Sequence, residues 1–151
     1  MSTLQLYGKF GSNIFGGESS GDAFAMDLLS DTIKATLHTS SYTPNIDTDE
    51  VKADATNELS TAAGYTAGGV TLASKTIVYT AAGNISTFTA AAWSWTASSG
   101  DLTFRYCVLW DDTIASDPLI GYIDCGAQTI TDGNTFTVSP TASGLFTATV
   151  T

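Results

Sequence analysis

Apolar residues recur at every second position in Thr32-Ile33-Lys34-Ala35-Thr36-Leu37-His38-Thr39. Ile33, Ala35 and Leu37 fall on one face, and Thr32, Lys34, Thr36 and His38 on the other. Such a period of two, rich in β-branched residues, predicts a half-buried strand and puts His38 on its solvent side. The clearest pattern of this kind is Leu102-Thr103-Phe104-Arg105-Tyr106-Cys107-Val108-Leu109-Trp110, where Leu102, Phe104, Tyr106, Val108 and Trp110 share a face. A turn over residues 111–118 leads into Leu119-Ile120-Gly121-Tyr122-Ile123-Asp124-Cys125, which predicts a return strand. Val70, Leu72, Ile77 and Tyr79 form another run, closed by Ala81-Ala82-Gly83-Asn84. Ile85, Phe88, Trp93 and Trp95 form the next, closed by residues 97–101, and short runs at 135–138 and 145–150 complete the chain. Evenly spaced strands between Gly, Asn and Asp turns predict an all-β protein, an antiparallel β-sandwich or barrel.

Two stretches depart from this pattern. Residues 1–24 combine Gly8, Gly11, Gly16, Gly17 and Gly21 with several serines. Glycine is costly to order, so the segment reads as an N-terminal arm, 1–24, beside a sandwich domain, 25–151. Leu4, Leu6, Tyr7, Phe10, Ile14 and Phe15 give the arm apolar positions for docking, against the alternative of a frayed terminus. Around the acidic stretch 47–58, Val51, Ala55 and Leu59 recur at four-residue spacing just beyond Asp47 and Thr48. That spacing predicts a short surface helix, at most the one helix of the chain. Gly64-Tyr65-Thr66-Ala67-Gly68-Gly69 lacks the Gly-Lys-Ser/Thr of a phosphate loop and reads as a turn between strands.

Charge narrows the range of functions. Fifteen acidic and five basic side chains give a net charge of -10, with one arginine and four scattered lysines. Nucleic acid is therefore not an expected partner, because binding it requires cations to displace counterions. No apolar run approaches the roughly 20 residues that span a bilayer, so no membrane partner is expected. Sixteen aromatic residues supply core material that disordered chains lack. The opening Met-Ser-Thr-Leu-Gln-Leu-Tyr does not resemble a secretory signal, and the chain is expected to fold where it is made.

The residues that support chemistry are few. His38 is the single histidine, and Cys107 and Cys125 are the two cysteines. A structural zinc site needs about four such ligands, and a Ser-His-Asp or Cys-His enzyme would depend on His38 as its base. From Asp47, a calcium loop would require Gly at the sixth position, where Lys52 stands, although Glu58 does fall twelfth. No catalytic residue, metal or cofactor is expected. The cysteines are equidistant from position 116, so a regular hairpin places them opposite each other at near-disulfide spacing, and a one- or two-residue bulge separates them. Buried free thiols and a cross-strand disulfide both remain open, the first favoured by the lack of a signal sequence.

Several short motifs occur in a familiar order. They are Asp31-Thr32-Ile33-Lys34-Ala35, Tyr42-Thr43-Pro44, Asn57-Glu58, the glycine-rich loop 64–69, Leu102-Thr103-Phe104-Arg105-Tyr106 and Pro118-Leu119-Ile120-Gly121-Tyr122-Ile123-Asp124. Over residues 26–126 the chain resembles a group of small virion proteins of tailed bacteriophages. The glycine-rich segment before Phe24 and the cysteine pair have no counterpart in that group. The resemblance implies a β-rich structural protein and no enzyme, made in the host bacterial cytoplasm and carried on the virion. Within the group it points to capsid decoration, or cement. Such a protein binds the major capsid protein on the outer capsid surface, typically as a homotrimer, and clamps neighbouring capsomers. The arm residues Leu4, Leu6, Tyr7, Phe10, Ile14 and Phe15 are then candidate contacts, together with Trp93 and Trp95. Tyr106 and Trp110 are further aromatic anchors, unless these rings fill the core instead. The alternatives are a head-fibre base, a neck or tail accessory protein, or a host-surface sandwich whose tryptophans stack on sugars.

Overall fold

The computed structural model describes residues 3–15 and 26–150. Its strands lie in three antiparallel sheets, and its one helix, α1 (Phe10–Ile14), is short. The largest sheet joins β1 (Gln5–Leu6), β8 (Leu119–Ile130), β7 (Leu102–Asp111), β2 (Ile33–His38) and β3 (Val70–Thr71), in that order. A three-stranded sheet has β5 (Ile85–Thr89) between β10 (Phe146–Thr149) and β4 (Thr76–Thr80). A third sheet pairs β6 (Trp93–Thr96) with β9 (Thr135–Val138). The fold is all-β, as the alternating pattern predicts. The two middle runs each divide between sheets: Val70 and Ile77 lie on different strands, as do Ile85 and Trp93.

One face of the large sheet meets both small sheets. Ile33, Ala35, Leu37, Cys107, Leu109 and Ile120 from the large sheet share a core with Phe88, Trp93, Trp95 and Val138. The opposite face carries a second cluster in which Val108, Tyr106, Trp110 and Leu119 pack with Tyr7, Tyr42 and Ala55. Both faces of β2 are therefore covered, and the expectation of a half-buried strand is corrected. His38 and Thr36 are fully buried along with Ile33, Ala35 and Leu37. Alternation shows which residues share a face, but it does not show that a loop will cover the polar one.

The long hairpin also departs from simple alternation. Leu102 and Phe104 face the main core, whereas Tyr106, Val108 and Trp110 face the second cluster. The change occurs where the register shifts between Phe104 and Tyr106, Phe104 opposing Gln128 and Tyr106 opposing Asp124. Two extra residues on β8 are accommodated there, with Gly126 at φ 69°. Beyond this irregularity Cys107 and Leu109 take the core-facing positions on β7. The shift also moves the cysteines out of opposition: Cys107 pairs with Ile123, and both thiols are free.

Residues 47–58 form no helix, which corrects a second expectation. Asp54 Oδ2 accepts from the backbone N–H groups of Glu50 and Val51 at 3.0 Å each. Asp49 Oδ2 accepts from Asn45 N–H at 3.0 Å. Such local side-chain bonds compete with the helical ladder. The segment is held instead by isolated bridges from Val51 to Pro118 and from Glu58 to His38. The glycine-rich loop does lead into a strand, β3, and Gly69 (φ 73°) lies so close to β2 that a Cβ would sit 1.9 Å from the Ala35 carbonyl oxygen.

Candidate interaction surface

The predicted arm docks on its own chain. β1 extends the large sheet by pairing with β8, Gln5 opposite Tyr122 and Leu6 opposite Gly121. Leu4 and Phe10 enter the main core, Ile14 packs against it, and Tyr7 enters the second cluster. Leu6 stands at the edge of exposure, and Phe15 is 88% exposed. Residues 16–24 of the predicted arm lie outside the described residues. Trp93 and Trp95 are buried in the core, and Trp110 is buried in the second cluster between the ammonium groups of Lys34 and Lys52, 5.5 and 5.4 Å from its ring. Phe15 and Leu6 are therefore the members of the candidate set that the fold leaves open to a partner.

Glu58, the glycine-rich loop 64–69, His38 and Tyr42 lie in part-buried polar networks along β2. Glu58 Oε1 accepts from the Tyr65 hydroxyl at 2.7 Å and from Gly68 N–H at 2.6 Å, and Lys52 bonds its other oxygen. Burial works against ionisation of Glu58, but these donors outweigh it and leave its pKa below the ordinary value. The Tyr65 oxygen accepts Leu37 N–H at 3.2 Å, linking the loop to β2. His38 Nδ1 donates to the Thr56 carbonyl at 2.8 Å, leaving Nε2, 3.0 Å from the Thr36 hydroxyl, as an acceptor. Burial lowers the His38 pKa, and the Thr56 bond only partly opposes it. Tyr7 and Tyr42 hydroxyls lie 2.6 Å apart, and Tyr42 donates to Asp49 at 2.8 Å. Both phenols are pushed upward, chiefly by burial. These networks join the arm, the 42–58 loop and β2, and their groups are already matched to one another. Among the described residues no group of three or more His, Cys, Asp or Glu side chains is placed to hold a metal ion.

Charge is unevenly distributed over the fold. Residues 76–100 and 133–151 contain no Asp, Glu, Lys or Arg. They include β4, β5, β6, β9 and β10, so both small sheets are free of charge. Among the described residues the ion pairs lie on the large sheet, its loops and the docked arm: Lys34 with Asp112 at 2.8 Å, Arg105 with Asp124 at 2.8 Å, Lys9 with Glu50 at 3.8 Å, and Lys52 with Glu58. The neutral part also contains the most exposed apolar strand. Ile77, Val78 and Tyr79 of β4 are 46, 55 and 61% exposed. The 25 uncharged residues between Lys75 and Asp101 are the sequence signal of this neutral surface.

Comparison with protein-family models, with curated proteins and with solved structures finds no match to this chain.

Proposed function

We propose that the chain is a bacteriophage capsid decoration protein, which binds the outer shell built by the major capsid protein and braces neighbouring capsomers. The observation that carries this reading is the division of the molecule into an acidic half and a wholly uncharged pair of sheets. A net charge of -10 keeps free subunits dispersed and away from DNA. The uncharged sheets offer surface that packs against protein without stranding a desolvated charge. Repetition over a lattice turns modest contacts into a strong clamp. On this reading Phe15, at the outer end of the docked arm, is an apolar anchor for the shell. The sugar-binding alternative is less well supported, because Trp93, Trp95 and Trp110 are all buried and present no free ring face.

The test is copy number and heat resistance of purified virions from the virus that encodes the chain. Decoration predicts copies comparable to the major capsid protein, and particles lacking the chain that open at lower temperature. Phe15→Ser should weaken rebinding to such particles without changing the fold. A few dozen copies or fewer would indicate a neck or tail part, and unchanged heat resistance would remove the clamping role.

A further inference from the structure

β4 (Thr76–Thr80) is the outer strand of its sheet and pairs only with β5. Among the described residues nothing pairs with its other backbone edge. All five of its side chains are exposed, so neither face is covered. Natural sheets protect such edges with charge, proline or a bulge, and Thr76-Ile77-Val78-Tyr79-Thr80 contains no charged residue and no proline. Lys75 stands next to the strand, but its ammonium donates to the Asp31 carbonyl and does not guard the edge. The hairpin is also held in shape: the Tyr79 hydroxyl donates to Asn84 Oδ1 at 2.8 Å, and the turn uses Gly83 and Asn84 at φ 95° and 52°.

The strand is close to symmetric about Val78. An antiparallel copy centred there places Thr76 opposite Thr80, Ile77 opposite Tyr79, and Val78 opposite itself. Thr–Thr and aromatic–β-branched pairs are the favourable cross-strand combinations, and a two-fold contact closes on itself without growing into a filament. Charge selects the same place. Two copies of a chain carrying -10 repel each other over most of their surface, but the sheet that contains β4 has no charge at all. We infer that β4 pairs with β4 of a second copy of this chain, about a two-fold axis through Val78, joining two three-stranded sheets into one of six strands. This inference stands apart from the capsid reading, because it concerns the free protein in solution.

Light scattering and sedimentation of the purified full chain at micromolar concentration test it. The wild type should have the mass of a dimer. Val78→Lys and Val78→Glu each set like charges opposite one another and should raise the dimer dissociation constant about tenfold or more. An equimolar mixture of the two variants should restore the dimer, which a folding defect could not do. A wild-type monomer, a trimer, or a dimer that survives both variants would overturn the pairing. So would a monomer whose residues 76–80 resist hydrogen exchange, since another part of the same chain would then cover the edge.

Discussion

The buried carboxyl of Asp111, at the end of β7, lies close enough to that of Asp31, just before β2, for each negative charge to disfavour the other. Asp111 is fully buried, its Oδ1 accepts Thr113 N–H at 2.8 Å, and its Oδ2 has no donor among the described residues. The neighbouring cations are directed elsewhere, Lys34 to Asp112 and Lys75 to the Asp31 backbone carbonyl. Burial, reinforced by Asp31, pushes the Asp111 pKa up to about 6, against the opposing Thr113 bond.

A raised pKa means that the folded state holds a proton the unfolded chain releases. The contribution of this pair is thus complete in acid and is lost as pH rises through about 6. Asp111→Asn keeps the shape and supplies a permanent donor toward Asp31. The variant should melt at a higher temperature than wild type at pH 8 and at a similar temperature only below about pH 4. The difference at pH 8 should be on the order of 2 kcal/mol. Equal pH profiles for the two proteins would show that the folded state holds no such proton.

Gly121 determines whether the arm can dock. A Cβ there would lie 2.6 Å from the Gln5 carbonyl oxygen and 3.1 Å from the Leu4 side chain. Gly121→Ala should therefore displace β1 while leaving the pairing of β2, β7 and β8 intact. The expected cost is about 1–3 kcal/mol, typical of overpacking. Hydrogen exchange should accelerate at Gln5, which lies on the bonded side of the β1–β8 ladder, and at Tyr7, whose N–H bonds the Ile120 carbonyl at 3.1 Å. Unchanged protection at these residues would mean that the arm does not depend on this close approach.

A period of two made the strands legible in the sequence, even where a second cluster covers the polar face as on β2. β2, β7, β9 and β10 lie close to where period two places them. It concealed what depends on residues distant in the chain. His38 reads as exposed because the loop that covers it begins only at Tyr42 and is anchored through Glu58 and Tyr65. Tyr106 reads as a neighbour of Phe104 because a bulge on β8 leaves no periodic trace on β7. The site was legible in part. Leu4, Tyr7 and Phe10 read as contacts for a partner but are buried against their own chain, and the edge at Val78 was hidden because Ile77 and Tyr79 alternate just as core-facing residues do.

The cysteines give a prediction that turns on the same bulge. Cys107 is fully buried, and burial, with Cys125 adding to it, drives its thiol pKa well upward. Cys125 is half-buried with its sulfur 3.7 Å from the Ile123 carbonyl oxygen, and burial, with the Asp124 charge adding to it, raises its pKa to about 11. Only the thiolate reacts, so a thiol reagent at pH 8 should label Cys125 about a hundredfold more slowly than a free cysteine. Cys107 should be labelled only when the fold opens. Mass spectrometry of partly labelled protein should find the first adduct on Cys125. Denatured protein without reductant should yield both thiols. A yield of zero would mean that the register between β7 and β8 shifts to bring the two sulfurs together, and rapid native labelling of Cys107 would mean that the main core opens far more readily than its packing implies.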